Sequence, residues 1–141
     1  MADLPMHYTT RFSWLGSESD GRIAIEERPD MPTGSPHAAD RYSPEHLLVA
    51  AAEVCLGNYV VLIAKRSKLT LHGYRSHAEG ELEFEKGAGY RFKRIVITPV
   101  LTVDPGDESL ATRVVDKSHR ACLIARSLSC PVDIEPVIET G

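Results

Sequence analysis

One segment constrains the fold of this chain more than any other, the apolar stretch at residues 43–66. Ser43 and Pro44 open it with residue types favoured at a helix N-cap and first turn, and Glu45 follows near the positive end of the helix dipole. The residues after them are apolar on nearly every side until two basic residues close the segment. A helix of this kind is central rather than laid on a surface. We therefore predict a central helix over residues 43–66.

A first hairpin is predicted before this helix. Residues 7–14 alternate, with aromatic and threonine side chains on one side, which is typical of a strand. The Ser-Glu-Ser-Asp-Gly sequence at residues 17–21 indicates a turn, and residues 22–27 resume a strand. Residues 28–42 hold three prolines and a glycine, so we predict a loop there.

A second hairpin is predicted after the helix. Glutamates alternate with small and apolar residues over 78–85, which indicates a strand with one face in water. A Gly-Ala-Gly turn at 87–89 leads into a partner strand over 90–103. The remaining predicted elements are a second helix that starts at residues 104–107, a short helical piece over 122–128 and a closing strand over 131–139.

These elements predict an α+β fold with antiparallel β-sheet hairpins around two buried central helices. A chain of 141 residues has the size of one domain, so we predict a single domain over residues 1–141. A chain of this length buries about two-thirds of its unfolded surface and needs no disulfides to fold. The net charge of −4 and the absence of a long basic run argue against nucleic-acid binding.

The sequence also predicts a location. The apolar run 47–64 is interrupted by Glu53, Gly57 and Asn58, so we do not expect a transmembrane helix or a membrane partner. The N-terminal sequence Met-Ala-Asp-Leu-Pro-Met lacks the basic and apolar regions of a signal peptide. We therefore predict a cytoplasmic protein, whose cysteines are reduced at rest.

Cys55 in the central helix and Cys122 in the later helical piece are the residues most able to carry chemistry. Free cysteine is often a small buried hydrophobe, so core packing, metal binding and a redox pair are all open to these two thiols. His119 and Cys122 are three residues apart, but no second close pair of ligands completes a tetrahedral site, and no metal is expected. We predict a structural role for Cys130.

The segment Ser43-Pro-Glu-His-Leu-Leu-Val-Ala-Ala-Ala-Glu-Val-Cys55 resembles the signature of the OsmC/Ohr family, which comprises the osmotically induced protein and the organic hydroperoxide resistance proteins. That signature has a Pro-Glu near the start of a central helix, an apolar run of small residues, and a cysteine ten residues after the glutamate. Cys122 stands where the family carries its second cysteine, shortly before the closing strand. The order of elements is similar along almost the whole chain.

The resemblance implies a thiol-dependent peroxidase that reduces organic hydroperoxides, with hydrogen peroxide as a second candidate substrate. Cys55 would be the peroxidatic thiolate and would become a sulfenic acid. Cys122 would resolve it as a disulfide, which an external dithiol then reduces. No cofactor is implied. The resemblance also implies an intertwined homodimer with its sites at the subunit interface.

Glu45 stands at the position of the family's helper residue, which works with an arginine that faces the thiolate. Ten residues along a straight helix rise ~15 Å, so Glu45 and Cys55 of one helix do not meet. If Glu45 serves a Cys55, that cysteine belongs to a second subunit. The alternative is a carboxylate that only complements the helix dipole.

The arginine is where this chain departs from the pattern. Hydroperoxide resistance proteins carry it in the turn of the first hairpin, where this chain has Ser19. Another branch places it in the loop before the helix, where Arg28 and Arg41 are available. We favour Arg41, two residues before Ser43, because a guanidinium suits an anionic partner. A solvated loop charge is the alternative for Arg41.

Two functions therefore remain open. One is the dimeric peroxidase with Cys55, Cys122, Glu45 and Arg41 in its site. The other is a non-catalytic relative, a stress protein that keeps the fold and binds a small apolar ligand. Rapid loss of thiols on addition of an organic hydroperoxide would separate the first from the second.

Overall fold

A computed structural model describes residues 3–141 of the chain. The described residues divide into two compact units, the first ending at Leu48 and the second running Val49–Gly141. Met1 and Ala2, which begin the segment predicted not to be a signal peptide, lie outside the described residues. The single domain over residues 1–141 stays a prediction.

The first unit holds a three-stranded antiparallel sheet. Its strands are β1 (Arg11–Trp14), β2 (Gly21–Ala24) and β3 (Met31–Thr33), in the spatial order β1-β2-β3. The predicted first hairpin is confirmed, with its turn at residues 15–20 rather than 17–21, and both of its strands are shorter than predicted.

The prediction of a loop throughout residues 28–42 is wrong, because β3 lies within it. Pro32 stands opposite Arg22 in the middle of this strand. A proline has no N–H to donate, so it is tolerated in a strand at the edge of a sheet, which is the position of β3. The backbone carbonyl of Pro32 instead accepts a hydrogen bond from the N–H of Tyr42 at 3.0 Å.

Helix α1 (Pro44–Arg66) confirms the predicted helix over residues 43–66. Ser43 is fully buried, and its Oγ accepts a hydrogen bond from the backbone N–H of His46 at 3.1 Å, so it is the predicted N-cap. By length and composition alone, α1 is long and apolar enough to cross a membrane, a property that core helices of soluble proteins share. Its buried residues are Ala52, Leu56, Val60, Ile63 and Ala64.

The second unit is built on a four-stranded sheet. The long strands β4 (Gly73–Glu85) and β5 (Gly89–Val103) form the predicted second hairpin. Helices α2 (Glu108–Ala121) and α3 (Leu123–Ser127) follow, close to the predicted positions. The chain ends with β6 (Val132–Ile134) and β7 (Val137–Thr140).

The closing segment differs from its prediction in two ways. It is two strands rather than one, and both pair with β5 in parallel, so the sheet is mixed rather than built from antiparallel hairpins alone. Pro136 lies between the two strands, where it has no N–H for the ladder. The neighbouring Glu135 N–H still reaches the carbonyl of Ile97 at 2.9 Å, so the segment stays against β5 across the break.

The core of the second unit lies between its sheet and its helices. It includes residues of α1, of β5 and of α2. The fully buried members with the largest side chains are Leu56, Val60, Ile95, Ile97, Leu101, Val103, Val114 and Val115.

Two glycines set the close approach of α1 and β4. A Cβ atom at Gly57 of α1 would lie 3.2 Å from Cε1 of Tyr74, and a Cβ atom at Gly80 of β4 would lie 2.6 Å from Cγ2 of Val49. Between these contacts, Ser76 Oγ donates a hydrogen bond to Glu53 Oε2 at 2.6 Å. These three contacts fix the register of α1 on β4, and Cys55 lies within the stretch of helix that they hold.

Candidate functional site

The structure brings Cys55 and Cys122 together. Cys55 is partly buried on α1, and Cys122 is 1% exposed at the junction of α2 and α3. The two thiols are neighbours, close enough for the Cys55 thiol to raise the pKa of Cys122. Both are free thiols, as is Cys130, which packs partly buried against the core. Two thiols from distant parts of the second unit thus share one site.

A break in the helical backbone places the Cys122 thiol. Cys122 ends α2 and precedes α3 with φ −57° and ψ 111°, outside the helical region. Its N–H donates to the carbonyl of His119 at 3.3 Å, and its carbonyl accepts from the N–H of Arg126 at 3.1 Å. The backbone N–H groups of Ala125 and Ile124 lie near the sulfur.

The surroundings of Cys122 keep it protonated. Burial, reinforced by the neighbouring Cys55 thiol, raises the pKa of Cys122 from 9.0 to about 11, although the backbone N–H groups of Ala125 and Ile124 pull that pKa down. At neutral pH Cys122 therefore carries its proton.

This pKa gives a direct prediction. We expect the rate of alkylation of Cys122 by iodoacetamide to follow a titration curve with its midpoint near pH 11 in the folded protein, since the thiolate is the reacting form. Peptide mass spectrometry after timed labelling measures that rate for each cysteine. The control is the same chain unfolded in guanidinium, where the midpoint returns towards 9.0. A midpoint in the folded protein equal to that of the unfolded chain would contradict the prediction.

Arg41 lies in the first unit and is held by several groups there. Its Nε lies 3.4 Å from Oδ1 of Asp20, and its Nη1 donates to the carbonyls of Gly21 at 3.1 Å and Thr33 at 3.4 Å. The side chain is 19% exposed. Arg41 is therefore not a freely solvated loop charge, since it ties the loop before α1 to β2 and β3. Its role towards a thiolate stays a prediction.

Glu45 also lies in the first unit, in the first turn of α1. It lines a cavity of about 450 Å³ whose walls are mostly apolar. Its Oε1 is buried and has no hydrogen-bond partner among residues 3–141. The other residues that line this cavity are Phe12, Ser19, Ile23, Thr33, Gly34, Ser35, Pro36, Pro44 and Leu47.

Sequence reasoning missed Thr33. This residue is 7% exposed, lines the same cavity as Glu45, and its Oγ1 has no hydrogen-bond partner in the described part of the chain. The sequence predicts a loop at Thr33, whereas the structure has β3 paired with β2 there. The pairing of a Met-Pro-Thr segment with the second strand of the hairpin leaves only a weak signal in the sequence.

The histidine beside Cys122 has a structural partner. Nε2 of His119 lies 2.8 Å from the carbonyl oxygen of Val132, which connects α2 to β6. Residues 3–141 contain no group of three or more His, Cys, Asp or Glu side chains that could hold a metal ion.

Comparison with known proteins places the fold. An OsmC-like protein of unknown function from Vibrio cholerae has a similar structure, with a TM-score of 0.85 at 16% identity over 94% of this chain and 100% of that one. An organic hydroperoxide resistance protein OsmC from Legionella pneumophila has a TM-score of 0.71 at 18% identity, and the match covers 94% of this chain and 97% of that one. The organic hydroperoxide resistance protein OhrB of Bacillus subtilis has a TM-score of 0.65 at 20% identity, and the match covers 94% of this chain and 98% of that one.

At these identities the likeness shows the fold alone. A comparison with curated protein sequences finds no match. The family model described as OsmC-like protein, however, matches residues 37–137, which hold Arg41, Glu45, Cys55 and Cys122. The chain therefore belongs to the OsmC-like protein family.

Proposed function

We propose that this protein is a thiol-dependent peroxidase that reduces organic hydroperoxides. The observation that carries the proposal is that Cys55 and Cys122, far apart in the sequence, are neighbours in the structure. Membership of the OsmC-like family supports it, as do the similar structures that are named organic hydroperoxide resistance proteins.

In the first step the Cys55 thiolate attacks the terminal oxygen of the hydroperoxide. The S–O bond forms as the O–O bond breaks, which gives a sulfenic acid and an alkoxide. The alkoxide takes up the proton that the Cys55 thiol released and leaves as the alcohol. Sulfur is oxidised and the peroxide is reduced by one electron pair.

In the second step the Cys122 sulfur attacks the sulfur of Cys55. The S–S bond forms as the S–O bond breaks, and the leaving hydroxide combines with the Cys122 proton to give water. Because Cys122 keeps its proton until this step, it is not the nucleophile of the resting pair, and we give that role to Cys55. An external dithiol then reduces the disulfide by thiol exchange, and we place the cycle in the reducing cytoplasm.

We propose that the working form is a homodimer in which Glu45 serves Cys55 of the partner subunit. Glu45 and Cys55 are ten residues apart on α1, a rise of ~15 Å, so one helix does not bring them together. Val54 and Val61, on the same face of α1, are 59% and 54% exposed in the single chain, and a second copy would cover them. Arg41 would contribute its positive charge from the first unit.

A second candidate is a non-catalytic protein that binds a small apolar ligand. It is favoured by the contacts of Arg41, whose guanidinium already pairs with Asp20 and two backbone carbonyls. In that case the cavity beside Glu45 would be the binding site and the two thiols would be core residues.

The test is the addition of cumene hydroperoxide to the fully reduced protein, followed by counting of free thiols and mapping of the disulfide by mass spectrometry. We expect rapid loss of two thiols per chain and a disulfide between Cys55 and Cys122. The control is the same protein without peroxide. Thiol loss that is slow and equal in both samples would overturn the peroxidase and leave the ligand-binding function.

A further inference from the structure

A cleft in the second unit lies between the end of α1 and one face of α2. Ser67, the first residue after α1, lines one side of it. The other side is a face of α2, because side chains three and four residues apart lie on the same face of a helix. This face includes Leu110, Arg113, Val114 and Lys117. The volume of the cleft is about 400 Å³, in the range of sites that hold small organic molecules.

The cleft is positively charged. Three basic side chains line it, those of Arg113, Lys117 and Arg120. Among the described residues that line it, Asp116 is the only carboxylate, and its Oδ2 already lies 3.5 Å from Nη1 of Arg120. Neither Arg113 nor Lys117 forms an ion pair within residues 3–141. Two positive charges in the cleft are therefore left without an ionic partner in the described chain.

A helix dipole does not account for these two charges. Basic residues stabilise the last turn of a helix, and Lys65 and Arg66 of α1 and Arg120 of α2 have that position. Arg113 and Lys117 lie further back in α2, before its last turn. Because the effect of the dipole is confined to the end of the helix, these two side chains need another explanation.

Positive charge is also concentrated around the cleft. The segments 65–68 and 113–120, which border it on its two sides, hold six basic residues and one acidic residue, a net charge of +5. The whole chain has a net charge of −4, so the rest of the molecule is strongly acidic. A positive region on an acidic protein creates a local field that attracts anions.

We propose that this cleft binds a small organic phosphate monoester, whose phosphate group lies between Arg113 and Lys117. A phosphate monoester carries about two negative charges at neutral pH, which matches the two unpaired cations, whereas a carboxylate carries one. A guanidinium pairs with two phosphate oxygens at once, and an ammonium binds a third as a point charge. Leu110 and Val114 offer apolar surface to the organic body of the ester. The site goes beyond the proposed peroxidase function and uses neither thiol.

The test is a titration of phenyl phosphate into the full-length reduced protein, with the amide signals of Ser67 and Val114 followed by NMR. We expect Arg113→Gln and Lys117→Gln each to weaken binding about threefold, and the double variant about tenfold, because ion pairs at exposed positions contribute modestly. Benzoate, which has the same ring and a single charge, should bind more weakly than phenyl phosphate. Inorganic phosphate, which lacks the ring, should also bind more weakly.

Lys86→Gln is the matched control, because it removes the same charge from an exposed position in the turn between β4 and β5. It should bind phenyl phosphate like the wild type. A loss of affinity equal to that of Lys117→Gln would mean that overall charge sets the binding, and it would overturn the proposal. The proposal would also be overturned by unshifted amides in the wild type, by equal affinity in the wild type and the double variant, or by equal affinity for phenyl phosphate and either of the other two probes.

Discussion

Replacing Cys55 with serine is expected to lower the rate of hydroperoxide reduction by about a thousandfold or more, the size of effect seen when an enzyme nucleophile is removed. A serine hydroxyl is not ionised at neutral pH and does not replace a thiolate as the attacking group. The measurement is the rate of cumene hydroperoxide consumption in the presence of an excess of dithiol.

The other cysteines serve as internal comparisons for this change. Cys122→Ser should still react once, and its sulfenic acid on Cys55 should persist long enough to be trapped by dimedone. Cys130→Ser makes the same chemical change at a partly buried cysteine and should keep the wild-type rate. Consumption of peroxide by Cys55→Ser at the wild-type rate would show that Cys55 takes no part in the reaction.

The same variant tests whether each site is shared between subunits. Cys55→Ser and Glu45→Gln chains should both be impaired as homodimers, but a mixed dimer would contain one complete site, with Glu45 from one chain and Cys55 from the other. Equal mixing after exchange should restore about a quarter of the wild-type activity, because half of the dimers are mixed and each has one intact site of two. No recovery in a sample shown to contain mixed dimers would contradict a shared site.

The largest effect on stability is expected from Leu56→Ala. Leu56 is fully buried in the core of the second unit, on the face of α1 directed towards the sheet. Its truncation removes buried methyl groups and leaves a cavity, which should lower the free energy of unfolding by ~2–5 kcal/mol. Chemical denaturation followed by far-UV circular dichroism measures this at a fixed protein concentration, because a dimer's stability depends on concentration.

Leu82→Ala is the control for this prediction. It makes the same change at a side chain on β4 that is 45% exposed, and it should change the free energy of unfolding by no more than ~0.5 kcal/mol. Equal destabilisation by the two variants would mean that Leu56 does not contribute to the core as its burial indicates.

The features that could be predicted from the sequence are those with a local cause. Ser43 and Pro44 mark the start of α1 through the chemistry of their own side chains, and the hydrogen bond from His46 to Ser43 follows directly. The alternation of glutamates predicts β4 because side chains alternate across any strand. The motif that runs from Glu45 to Cys55 is also local, because it lies within one helix, and it was sufficient to indicate the family.

The features that could not be predicted depend on pairing between distant segments. Nothing near Pro32 indicates that β3 will find the edge of β2, and nothing near Pro136 indicates that β6 and β7 will lie parallel to β5. The buried, unpartnered hydroxyl of Thr33 exists only once β3 has formed. The pKa of Cys122 likewise depends on a neighbour far along the chain.

The position of the only tryptophan has a consequence for spectroscopy. Trp14 lies at the end of β1, in the first unit, and its indole N–H donates to the carbonyl of Glu18 at 3.0 Å. Tryptophan fluorescence therefore reports on the first unit. The circular dichroism signal comes mainly from the helices, and α2 and α3 lie wholly in the second unit. Coincidence of the two signals during unfolding is thus a measure of cooperativity between the units.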